Sequence, residues 1–136
     1  HAIAIDETDP REEIGEITGG HMADVVIDAS GAGPEIINGA LALVKKRGNL
    51  LCTAYKKATV PFDHDRLIQH QVVMRGTRGH SYRAVELALG TMKARKFPLE
   101  LISTHVLGLK DVDHALRMVG GELKERSIHV TIDPWK

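Results

Sequence analysis

The sequence predicts an α/β fold built on a parallel sheet, and three observations carry that expectation. Short β-branched runs alternate with helix-period stripes from residue 2 to about residue 95. The runs are continuously apolar, as in strands covered on both faces. Three of them end in small or flexible segments, Ala29-Ser30-Gly31, Cys52-Thr53-Ala54 and Thr77-Arg78-Gly79. In open α/β sheets these carboxyl ends of strands are where ligands bind.

The elements follow in order. Ala2–Ile5 reads as a short strand. Asp9-Pro10-Arg11-Glu12 opens a helix: Asp9 caps, Pro10 suits the first helical position and Glu12 completes a capping box. Ile14 and Ile17 share a face, and Gly19-Gly20 ends the helix. Val25–Ile27 is a buried strand. A helix over Pro34–Arg47 buries Ile37, Ala40, Leu41 and Val44; Lys45, Lys46 and Arg47 complement its dipole, and Gly48 closes it. Asn49–Ala54 is the next strand, Asp63–His70 a short helix, and Val72–Gly76 a further buried strand. Ser81 caps a helix whose stripe is Val85, Ala88, Leu89 and Met92, stopped by Pro98. Leu101–Leu107 is extended. Asp111 caps a helix burying Val112, Ala115, Leu116 and Val119, ended by Gly120-Gly121, and Ser127–Ile132 is a last strand.

Composition narrows the function. The 136 residues fit one ordinary domain and can bury roughly 68 % of the unfolded surface. Lys+Arg and Asp+Glu both count 18, so the net charge is zero and no basic face marks a nucleic-acid binder. Cys52 is the only cysteine, which leaves no disulfide framework or cysteine-based zinc cluster and makes a reducing, cytoplasmic setting the expectation. No stretch approaches the ~18 apolar residues of a membrane span, and no signal-peptide pattern opens the chain. The first residue is His1, which suggests a processed start or a piece of something larger.

Most chemical motifs are absent. The stretch ADVVIDASGAGPE at Ala23–Glu35 resembles a dinucleotide turn, yet Ile36 stands where G-x-G-x-x-G needs its third glycine. No G-x-S-x-G elbow exists, and neither Tyr55 nor Tyr82 is followed by lysine at the fourth position, as a short-chain reductase requires. Eight histidines are scattered without an H-x-x-x-H pair, so no metal site is expected. Asp63-His64-Asp65 reads better as a helix start than as an acid–base cluster. Cys52, at the end of an apolar strand, reads as a packed thiol. The three small strand ends remain; each alone is an ordinary tight turn, and three in register make a ledge for a flat ligand.

The succession of segments is more specific than any one motif. ADVVIDASG, a helix, RGNLLCTAY, a long loop, VVMRGTRGHSYRAVELAL, LISTHVLGLKDVDHALRMVGG and SIHVTID together resemble the C-terminal half of zinc-type alcohol dehydrogenases, the medium-chain dehydrogenase/reductase family. The resemblance covers nearly the whole chain. It implies the second half of a Rossmann-type parallel sheet over residues 1–97 and, over 98–136, the segment that returns to the catalytic domain. Ala2–Ile5, Val25–Ile27, Leu50–Cys52 and Val72–Arg75 would be the third to sixth strands.

The same resemblance implies NAD or NADP as cofactor. Ala29, Ser30 and Gly31 would line its adenosine or ribose side. Cys52, Thr53 and Ala54 would face the nicotinamide ribose and amide. Thr77, Arg78 and Gly79 would reach the carboxamide, and His129 would stand near the pyrophosphate, a role arginine fills better. The zinc ligands, proton relay and G-x-G-x-x-G would lie in an N-terminal portion outside this sequence, leaving the chain inactive by itself. A homodimer through Val72, Val73, Met74 and Arg75 at the sixth-strand edge is expected. With strand order 3-2-1-4-5-6, the third strand would stand roughly 14 Å from the fourth, so an isolated chain would move the third strand, pair the fourth strand's raw edge with another chain, or leave residues 1–20 poorly ordered. Two other readings stand beside this one: a non-enzymatic α/β module that dimerises or binds a ligand, and an α/β enzyme of another class such as a methyltransferase.

Overall fold

A three-stranded sheet organises the first of two units, His1–Gly79, in a computed structural model that describes residues 1–136. Its strands are β1 (Ala23–Asp28), β2 (Val44–Cys52) and β3 (Val73–Gly76), parallel throughout and in that spatial order. Helices α1 (Pro10–Ile17), α2 (Ile36–Leu43) and α3 (His64–His70) complete the unit. The parallel α/β expectation is borne out.

The core lies between α2 and the central strand. Leu41 and Leu50 are fully enclosed, with Ala40, Val44 and Val72 around them and Val26, Cys52, Phe62 and Leu67 at the margin. Asp9 caps α1, its Oδ1 accepting the Arg11 N–H at 2.8 Å. Asp63 caps α3 through Arg66 N–H at 2.9 Å. His64 and Asp65 stay exposed, 4.0 Å apart, as the cap reading of that acidic stretch requires.

Four expectations are corrected in this unit. Ala2–Ile5 forms no strand; it runs into a turn in which the Glu7 and Thr8 amides bond to Ala4 O at 3.0 Å. Its backbone groups turn to local bonds instead of pairing with the free edge of β1. The helix expected to reach Arg47 ends at Leu43, and Val44–Arg47 already belong to β2. Lys45 therefore pairs with Asp24 of β1 rather than with a helix end. Arg66 serves that end instead, Nη2 bonding to Ala42 O at 3.2 Å and Nε to Leu41 O at 3.5 Å. Arg47, not Gly48, takes the left-handed conformation, at φ 63. Gly48 is needed for space: a Cβ there would stand 2.9 Å from Asp24 O and 2.6 Å from Val44 Cγ1. Finally, β1 and β3 are not covered on both faces. Val25 and Ile27 are half exposed, as is every residue of β3 to a similar or greater degree, because α2 shields only the Val26 side of β1 and β3 is a sheet edge.

The second unit, His80–Lys136, contains α4 (Tyr82–Ala94), a 3₁₀ turn at Leu99–Ile102, β4 (Ser103–Gly108), α5 (Val112–Val119) and β5 (His129–Asp133). β4 and β5 pair in parallel, from Ser103 with His129 to Gly108 with Asp133. Ser81 caps α4 as expected, Oγ accepting the Ala84 N–H at 3.2 Å. The stripe predicted on α4 is not buried; Leu89 and Met92 are both exposed. On α5 the buried residues are Ala115 and Met118, whereas Leu116 and Val119 face outward. The helix leans on β4 and β5 along the row at i and i+3, so a stripe written from i+4 spacing turns away from them.

Candidate functional site

The register of the first sheet puts the three strand ends in one row. Asp28 pairs with Cys52, and Cys52 with Gly76. The ladder runs one step further: Thr53 N–H donates to Asp28 O at 2.9 Å and Thr77 N–H to Cys52 O at 3.0 Å. Thr53 Oγ1 adds a second bond to Asp28 O, also at 2.9 Å. Ala29, Thr53 and Thr77 thus leave the sheet side by side, at the edge where parallel sheets bind ligands.

A cavity of 280 Å³ opens between the ends of β2 and β3. Cys52, Thr53, Ala54, Tyr55, Gly76, Thr77 and Arg78 line it. Five sequence-predicted residues therefore converge there: Cys52, Thr53, Ala54, Thr77 and Arg78. Gly79 follows directly, at φ 68, a conformation that suits glycine. Ala29 and Ser30 line a separate, mostly apolar cleft of 460 Å³ between β1, α1 and α2, and Gly31 follows them as an exposed loop residue. His129 belongs to the second unit, on β5, where its Nδ1 lies 3.4 Å from Thr131 Oγ1.

Beneath the row sits a buried ion pair that sequence reasoning missed. The Asp28 and Lys56 side chains are 2 % and 6 % exposed. Lys56 Nζ donates to Asp28 Oδ1 at 3.1 Å, Ser30 O at 2.9 Å and Ser30 Oγ at 3.4 Å. Oδ2 lies 2.9 Å from Nζ in ionic contact but accepts no directed hydrogen bond. Ser30 closes the cluster, its N–H and Oγ donating to Asp28 Oδ1 at 3.2 and 2.9 Å. Burial by itself pushes the Asp28 carboxyl up; the bonds from Lys56 and Ser30 outweigh it and hold the group below its ordinary value. The Cys52 thiol is pushed up, first by burial and then by the Asp28 charge, so at neutral pH it is a protonated thiol.

One signal for this pair was present: the β-branched run ADVVID ends in an acid, and a strand-end acid inside a sheet needs a partner. Nothing in Tyr55-Lys56-Lys57 distinguishes Lys56 from Lys57, which is exposed.

The residues present do not fit a zinc ion, since no group of three or more His, Cys, Asp or Glu side chains is placed to hold one. The cavity is edged by small side chains, the Thr77 hydroxyl, the Tyr55 phenol and the Arg78 guanidinium, while the Thr53 hydroxyl is already bonded to Asp28 O. No helix is long and apolar enough to cross a membrane.

A parallel sheet whose strand ends form such a row defines a Rossmann-type α/β protein. Comparison with known proteins narrows the class. The chain belongs to the zinc-binding dehydrogenase family, whose profile matches residues 1–94. A sorbitol dehydrogenase of Halalkalibacterium halodurans is 28% identical over 119 residues, 88% of this chain and 35% of that protein. Two solved structures have the same fold at low identity. The alcohol dehydrogenase TADH of Thermus sp. ATN1 superposes with a TM-score of 0.80 at 17% identity, over 94% of this chain and 36% of its own. The 2R,3R-butanediol dehydrogenase of Bacillus subtilis gives 0.83 at 19%, over 97% and 37%. The chain thus spans about a third of the length of these relatives.

Proposed function

We propose that this chain is the C-terminal, cofactor-facing part of an NAD(P)-dependent zinc-type alcohol or polyol dehydrogenase, and that the ledge receives the nicotinamide end of the cofactor. The observation that carries the reading is the alignment of the three strand ends in one row, with the ends of β2 and β3 opening on the cavity at Cys52–Tyr55 and Gly76–Arg78. In this reading Thr53, Ala54 and Thr77 set the plane and edge of the nicotinamide ring, Arg78 approaches its carboxamide, and Ala29–Gly31 line the ribose side. A bound nicotinamide cofactor would supply the hydride chemistry. Zinc is held, in this reading, by residues other than these 136, and the chain alone is inactive.

Titration with NAD⁺, NADP⁺ and nicotinamide mononucleotide, followed by amide NMR, tests the site. Shifts concentrated at Thr53, Ala54, Thr77 and Arg78 are expected, and Arg78→Ala should weaken binding severalfold. Shifts confined to other surfaces would overturn the assignment, and alcohol oxidation by the purified chain alone would overturn its inactivity.

A second reading rests on the open edge of β3, where Val73, Met74 and Arg75 have a neighbour on one side only. There the chain acts as a pairing module, two copies joining at Val72–Arg75. Sedimentation across a concentration series decides it: a concentration-dependent dimer supports the edge, and a monomer throughout removes it.

A further inference from the structure

We propose that Lys56 is a positioning residue for the ledge: its buried ammonium clamps the loop after β2 to the loop after β1, so that Ala29–Gly31 and Cys52–Ala54 move as one shelf. The consequence for cofactor rests on the function proposed above; the clamp itself stands on geometry alone.

An ammonium has three N–H donors and no acceptor. Those of Lys56 are directed at Asp28 Oδ1, Ser30 O and Ser30 Oγ, all on the β1 side and all 26 or 28 residues away in sequence. With its side chain 6 % exposed and its donors committed, Lys56 has nothing left for a ligand. Its role is to hold, not to bind. What it holds is arranged in series: Lys56 neutralises Asp28, and Asp28 Oδ1 fixes both the N–H and the hydroxyl of Ser30, a ledge residue. Loss of the ammonium leaves a carboxylate 2 % exposed and uncompensated. Such a group either takes up a proton or opens its loop to water. The titratable groups set beside Asp28 are the Lys56 ammonium and the Cys52 thiol. With the thiol protonated, Lys56 is the one that carries the balancing charge.

Lys56→Met keeps the aliphatic stem and removes the charge; Lys56→Arg keeps the charge. In Lys56→Met, hydrogen exchange at the Ser30 amide should accelerate by about tenfold or more. The Asp28 carboxyl, followed by carbon NMR, should titrate at higher pH than in the parent chain. Core amides at Leu41 and Leu50 should keep their rates, and Lys56→Arg should restore most of both effects. A folded Lys56→Met with unchanged Ser30 exchange and unchanged Asp28 titration overturns the clamp. If Lys56→Met does not fold, acid titration of the parent chain replaces it. Protection at Ser30 must then fall as Asp28 protonates, before protection at Leu50 falls; simultaneous loss overturns the clamp.

The binding arm uses NAD⁺ with the parent chain and Lys56→Met. Severalfold weaker binding with the same set of shifted amides is expected. Faster Ser30 exchange with unchanged affinity overturns the positioning role. No binding by the parent chain overturns the proposed function, and the exchange arm still decides the clamp.

Discussion

In the first unit Leu41 and Leu50 are completely enclosed, with Val44 at 1% exposure beside them. In the second, only Ala115 and Met118 are buried among the apolar residues, while Leu87, Leu89, Met92, Leu116 and Val119 are each more than half exposed. Both units contain parallel strands and an amphipathic helix, so pattern alone does not separate them. The difference is a middle strand. β2 is paired on both sides and covered by α2, which encloses its inward side chains. β4 and β5 are a two-stranded pair with no centre, and two strands are marginal without further packing.

That contrast can be broken first by deletion in the two cores. Leu50→Ala should destabilise the first unit by about 2–5 kcal/mol, since a fully enclosed site leaves a cavity. Met118→Ala should cost less, about 2 kcal/mol, because Ala115 is the only other buried apolar side chain of its unit. Chemical denaturation followed at resonances of each unit checks both; equal costs would mean the second unit has a core as real as the first. Gly48→Ala is next. A methyl 2.9 Å from the Asp24 carbonyl should cost about 1–3 kcal/mol and lower the unfolding midpoint of the first unit only. The smallest effect concerns reactivity. The Cys52 thiol is raised above its ordinary value of 9.0 by burial and by the Asp28 charge, so its rate of alkylation should level off at a higher pH than that of an exposed thiol. Asp28→Asn removes the second cause and should move that rise to lower pH; a profile that stays put would mean burial alone sets the thiol.

The parallel sheet and its three strand ends were legible because each rests on local signals: β-branched runs, then small residues. The register that makes them one row was not legible, because it depends on the bulge at Arg47 and Gly48. Val44–Arg47 reads as helix in the sequence because Val44 continues the α2 stripe, and its cations suit a helix end as well as they suit the exposed side of a strand. What separates the two is Asp24, which sits across the sheet and far away in sequence. Ala2–Ile5 has a strand's composition, but pairing depends on a neighbour in space, which composition alone does not supply. Lys56 was invisible for the same reason, its partners being 26 and 28 residues distant.

The crowding at Gly48 has a mechanical meaning. From Ala23 to Val25 the first strand advances two residues, while its partner runs from Val44 to Asn49, five residues, with the surplus folded into a bulge around Arg47 and Gly48. The bulge fits only where the glycine meets the Asp24 carbonyl, and so it works as a vernier between the two strands. A slip of one residue would displace the far end of β2 by ~3.3 Å and turn alternate side chains to the opposite face. Thr53 would lose Asp28 O, and the Lys56 ammonium would come off its carboxylate. The alignment of the ledge is thus set at the other end of the strand, by a residue that never touches it.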